Sequence, residues 1–238
     1  MNSGYNSGNQ GPFMESTWNN TPVSQSSAEV QIGFIRKTYL FFMAGILSAI
    51  MGGVLCLNVE PILRFALAIL DRPLIALVVI LGGSFAAQAL AYTPGVNYAA
   101  LFGFTSLIGI VFTPIIAMYA PAVVGQAAFL TLIVFGSLTA YTFVTRKDFS
   151  FMGGILFVGI LTVVLAGAAN LLFFKSSGAS YWLAWATLFV SSGFVLYQTS
   201  NIIHHHTERD TVAAALGLFI SFFNIFMSLL RILGGNRN

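Results

Sequence analysis

Three consecutive histidines, His204, His205 and His206, are followed closely by Glu208 and Asp210. An unperturbed imidazole titrates near pH ~6.5, so the run has the chemistry of a proton sensor or a weak metal site. It lacks the HExxH spacing of a zinc helix and has no cysteine ligand beside it. The alternative is a solvated turn, and that is the reading adopted here. A second group is neutral. Gln198, Thr199, Ser200 and Asn201 follow one another, and Ser221 and Asn224 stand further along. In an apolar setting such amides and hydroxyls hydrogen-bond across helices, and each taken singly is structural glue. Gathered this densely they suit a polar core or a narrow water-accessible path, with Gln198, Asn201, Ser221 and Asn224 as its candidate residues. Arg231 can snorkel to an interface or pair inside a bundle, and snorkelling is expected.

Enzyme chemistry finds little to work with. Intramembrane serine proteolysis needs a serine and a base inside the bundle, and every histidine here falls between hydrophobic segments. Two buried aspartates would be needed for aspartyl proteolysis, and Asp71, Asp148 and Asp210 all fall at segment ends. No glycine-rich loop is followed by Lys-Ser or Lys-Thr to cradle phosphate. Cys56 is the only cysteine, which excludes an intramolecular disulfide and a thiolate metal cluster. The net charge of +3 comes from few groups and forms no basic stripe, so nucleic acid is not an expected partner. No catalytic residue, metal or cofactor is assigned.

The elements that position these groups follow from where charge is absent. Between Thr38 and Leu233 the Asp, Glu, Lys and Arg residues lie only at Glu60–Arg72, Arg146–Asp148, Lys175, Glu208–Asp210 and Arg231. The chain is 57% hydrophobic and 7% charged, against roughly 25% charge in an ordinary soluble domain. About 20 apolar residues in a helix cross a bilayer's hydrocarbon, and helix is the form that satisfies the backbone there. Seven spans are expected, at about 38–58, 73–92, 96–120, 122–144, 149–174, 180–203 and 211–233. Pro61–Leu70 is apolar but too short to cross, and it is expected to lie in the interface. Small residues recur every four positions at Ala44, Ser48 and Gly52, at Gly83, Ala87 and Ala91, and at Ala213, Gly217 and Ser221, a pattern of close helix packing.

Residues 1–28 form a polar segment rich in Gly, Asn, Ser and Gln, expected to be a disordered tail rather than a signal peptide. Residues 29–238 make one membrane domain. The paired Arg36-Lys37 and Arg146-Lys147 favour a cytoplasmic N-terminus and an outer C-terminus.

Several of these stretches together resemble a family. They are Thr145-Arg146-Lys147-Asp148-Phe149-Ser150-Phe151, Gln198-Thr199-Ser200-Asn201-Ile202-Ile203-His204, Phe219, Asn224-Ile225-Phe226, and Leu229-Leu230-Arg231-Ile232-Leu233-Gly234. The likeness is to the Bax inhibitor-1 family of seven-span membrane proteins, most nearly its bacterial YccA-like branch. It runs from about Arg36 to Gly235. The resemblance implies an all-α bundle with the last helix central and six around it. It also implies one of two activities. Some members are pH-sensitive calcium leaks, gated by two aspartates on the last two helices. Others bind and restrain the membrane-anchored AAA protease FtsH. The positions matching the two aspartates are Gln198 and Ser221, and neither titrates in the physiological range. That departure favours a modulator of FtsH in a bacterial inner membrane over a calcium or cation leak with a non-standard gate.

Overall fold

The computed structural model describes residues 22–235. Among them are eight α-helices: α1 Ala28–Asn58, α2 Glu60–Leu70, α3 Pro73–Leu90, α4 Asn97–Ile116, α5 Pro121–Thr145, α6 Gly153–Ala169, α7 Ser177–His204 and α8 Thr211–Gly234. All but the short α2 supply the seven segments long and apolar enough to span a membrane, with α6 extended at both ends by irregular turns. The protein is an all-α, multi-pass membrane protein.

Helix ends fall where local chemistry places them. Proline stands in the first turn of α2, α3 and α5, where its missing N–H costs nothing. Arg146 at φ 50° ends α5 in the left-handed region, and Lys175 at φ 48° ends a wide π turn after α6. The Asn170 amide donates to the Ser176 carbonyl (3.2 Å) and to Ser180 Oγ (2.8 Å), tying that turn to the start of α7. The amide is structural glue.

α8 is the axis. Two thirds (67%) of its most apolar window is buried, against 11–33% for the other spans. It packs on α7, α5 and α1, and more lightly on α4 and α3. The expected ring of six is thus not closed. α6 packs chiefly on α7, leaving a cavity between itself and α8.

The small-residue spacing on α1 has its explanation in α4. A Cβ on Gly52 would stand 2.5 Å from the Ser106 carbonyl oxygen, and one on Gly109 would collide with Ala49. With no side chain in the way, Ser48 and Ser106 hydroxyls meet at 2.7 Å.

Two corrections concern segment ends. α1 begins ten residues before the expected span. Pro22–Ser27, placed in the tail by composition, is ordered: the Val23 N–H donates to the His206 carbonyl (2.8 Å), Ser24 Oγ to the His204 carbonyl (2.8 Å), and Val23 is buried. The rest of that expected tail lies outside the described residues. The start of α1 and the connections at 146–152 and 204–210 therefore meet at one end of the bundle. At the other, Gly234 lies against Tyr119.

Candidate functional site

A helix turns 100° per residue, so four polar residues in a row cannot share one environment. The Gln198–Asn201 run fans out accordingly. Gln198 faces α8 and a cavity. Thr199 is buried beside the Tyr39 hydroxyl. Ser200 meets the 146–150 connection. Asn201 is half-buried, does not line the cavity, and offers its backbone carbonyl to the N–H groups of His205 and His206. The expected path residues are thus split. Gln198, Ser221 and Asn224 come together, while Asn201 stands apart.

Ser221 Oγ donates to Gln198 Oε1 at 3.2 Å. One turn earlier on α8, Gly217 leaves room for the amide: a Cβ there would stand 2.9 Å from Gln198 Nε2. Gln198 and Ser221 are therefore in direct contact, joined by a neutral amide–hydroxyl bond. They border a cavity of about 610 Å³ walled by α3, α4, α6, α7 and α8. Its other polar groups are Ser84, Gln88, Thr187, Ser191 and Asn224, and none of its lining residues is charged. Ser84 and Thr187 bond to carbonyls of their own helices. Ser191 is buried, and among the described residues its hydroxyl has no partner.

The histidines belong to a different site, at the end of the bundle. His204 is the last residue of α7 rather than part of a loop, and its Nδ1 lies 3.0 Å from the Ser200 carbonyl. His205 Nε2 lies 3.0 Å from Asp148 Oδ2, and His206 Nδ1 lies 3.5 Å from Asp210 Oδ2. Asp210 also accepts from the Thr207 N–H and hydroxyl, capping the turn that leads into α8. The two outer histidines thus face separate carboxylates. Among the described residues no three of His, Cys, Asp and Glu converge as metal ligands.

Asp148, at a segment end, organises this cluster. Its Oδ1 accepts from the Ser150 N–H at 2.8 Å and its Oδ2 faces His205. The Ser150 N–H, with help from the Ser150 hydroxyl and His205, outweighs a small desolvation penalty and holds the carboxyl at about 2. Ser200, fully buried, accepts the Phe149 N–H at 2.8 Å. Aspartate two residues before serine is an Asx-turn signal visible in sequence. Its pairing with a histidine in another connection is not. Arg231 is exposed in the last turn of α8, outside both clusters.

The arrangement is thus a neutral interior cavity on α8 and a charged latch at one end of α7. The chain is similar in sequence to known proteins. The family model described as "Inhibitor of apoptosis-promoting Bax1" matches residues 31–238. Bax inhibitor 1 of Schizosaccharomyces pombe is 31% identical over 98% of this chain and 87% of that protein. Modulator of FtsH protease YccA of Escherichia coli is 34% identical over 76% of this chain and 84% of that protein. Protein lifeguard 4 of Mus musculus is 29% identical over 89% of this chain and 88% of that protein. With the match covering most of the chain and the last helix central in the bundle, this protein belongs to the Bax inhibitor-1 family.

Proposed function

We propose that this protein is a membrane-embedded modulator of the FtsH protease, seated in a bacterial inner membrane with its N-terminus in the cytoplasm. The likeness to the Escherichia coli protein named as such a modulator carries the reading. The neutral Gln198–Ser221 bond supports it from the chemistry side. Two adjacent carboxylates cannot both ionise cheaply and so switch with pH. An amide and a hydroxyl hold no such proton and offer a divalent cation no charge. The orientation rests on the paired Arg36-Lys37 and Arg146-Lys147, which sit beside spans as cytoplasmic loop charges do.

Co-purification from membranes tests the partner. Full-length protein should retain FtsH through detergent extraction. Failure to retain it under conditions that keep the bundle folded contradicts the reading. Removing residues 1–27 asks separately whether the polar N-terminal segment is the part that the protease grips.

A second reading, a pH-sensitive calcium or cation leak, is favoured by one observation: Gln198, Ser221 and Asn224 share a cavity beside the central helix. Under it, Gln198→Asp with Ser221→Asp creates or sharpens pH-dependent calcium flux into dye-loaded liposomes. A folded but silent double variant removes it.

A further inference from the structure

The cavity beside α8 opens sideways. Phe85 of α3 and Phe157 and Leu161 of α6 line it, yet are 72%, 61% and 46% exposed. They form the rim of a mouth between two spanning helices that lean on different neighbours, α3 chiefly on α4 and α6 chiefly on α7. A mouth between two spans faces hydrocarbon, so what enters comes from the bilayer.

The walls state what fits. On the α4 and α6 sides they are apolar, with Phe104, Ile108, Phe157, Ile160 and Leu161, and α3 adds the apolar Phe85 beside the polar Ser84 and Gln88. On the α7 and α8 side runs a polar strip. Gln198 has its oxygen engaged by Ser221, which leaves its amide N–H groups as donors. Asn224 and Ser191 line the same side. Ser191 is 1% exposed, borders the cavity and, among the described residues, has no partner for its hydroxyl. A buried hydroxyl without a partner is a defect unless something else supplies one. No charged residue lines the cavity, so a charged head would be buried unpaired there and is disfavoured. The strip from Thr187 to Gln198 is about 16 Å long. The volume of about 610 Å³ lies inside the range of about 300–1,000 Å³ usual for small-molecule sites.

We propose that this cavity binds an uncharged acylglycerol taken laterally from the bilayer. Its acyl chain lies against Phe85, Phe157 and Ile160, and its ester and hydroxyl oxygens accept from Gln198, Asn224 and Ser191. The proposal is independent of the protease reading, because it rests on the cavity walls alone.

The test uses the full chain in nanodiscs and a monoacylglycerol carrying a diazirine on its acyl chain. After irradiation, peptides are mapped by mass spectrometry. Saturable labelling is expected on the cavity sides of α3 and α6. Unlabelled 1-oleoylglycerol should compete it away, and oleate at pH 8 should not. Ser191→Ala removes one hydrogen bond and should weaken apparent affinity about five- to tenfold, while Ser191→Thr keeps the hydroxyl and the affinity. Ile160→Trp fills the cavity and should abolish labelling. If that variant does not fold, the Ser191 pair and the competition decide. Labelling that does not saturate, or that falls equally on Leu47 and Ile50 of the outward α1 surface, means annular lipid only and overturns the proposal. Equal competition by oleate overturns it as well.

Discussion

Two turns of one helix separate two polar sites built on opposite principles. At the end of α7, Ser200 and His205 meet Asp148 and the 146–150 backbone while His204 turns back to the Ser200 carbonyl, so the groups of this latch find partners in protein. Seven residues before His205, Gln198 meets only Ser221, and the neighbouring Ser191 hydroxyl meets nothing among the described residues. The outer site is charged and closed; the inner is neutral and left open. Water explains why the charges can sit where they do. The Asp148 and His205 side chains are nearly half exposed, so neither bears the full cost of burial. Inside the bundle a carboxylate would bear it, and the chain places an amide and a hydroxyl there instead.

That contrast can be broken from either side, and the inner site offers the largest effect. Gly217→Leu drives a side chain into the Gln198 amide. Overpacking of this kind costs about 1–3 kcal/mol, and the upper half of that range is expected because α8 is the axis. A drop in the thermal midpoint of detergent-solubilised protein reads it out. The outer site comes next. Ser200→Ala leaves the Phe149 N–H without its acceptor, at about 1–2 kcal/mol. Faster amide hydrogen exchange confined to residues 146–152 is the expected signature, and an unchanged profile would mean that the latch is incidental.

Acid sharpens the difference further. The folded Asp148 carboxyl sits below its ordinary value, at about 2, so its contribution is fully present above about 4 and is lost as pH falls through 2. Exposed pairs are worth about 0–1 kcal/mol, so the effect is small. Asp148→Asn should flatten the acid limb of a stability-versus-pH curve; an identical limb would assign it to other groups. The smallest effect belongs to Gln198→Leu with Ser221→Ala. Removing both partners of a hydrogen bond is nearly neutral, within about 0.5 kcal/mol. A large loss would mean that the neutral pair contributes more than this comparison allows.

The spans were legible because charge is confined to a few islands, and burial in lipid leaves no other arrangement of the backbone. The interfacial α2 was legible by its length. The contact between Gln198 and Ser221 followed from the resemblance rather than from periodicity. Three features were out of reach. The grouping of Gln198 with Asn201 failed because consecutive residues on a helix face different neighbours. The His205–Asp148 pair depends on how two connections meet at one end. The gap in the ring around α8 depends on where α6 leans, and that is set by packing such as Gly159 against Val190 and Gly193 against Leu156. Neither glycine stands out from the others in its span. Val23 shows a further limit, since composition placed it in a polar tail, whereas a backbone bond to His206 and burial of its side chain anchor it to the bundle.

The central claim is that a family member with a neutral pair at Gln198 and Ser221 acts on a protease. The most direct measurement is the rate at which FtsH degrades a membrane substrate in proteoliposomes, with and without this protein at equal lipid and calcium. The rate should fall as this protein is added and level off at a fixed ratio to FtsH. An unchanged rate, with both proteins shown to be folded and in the same vesicles, would contradict it.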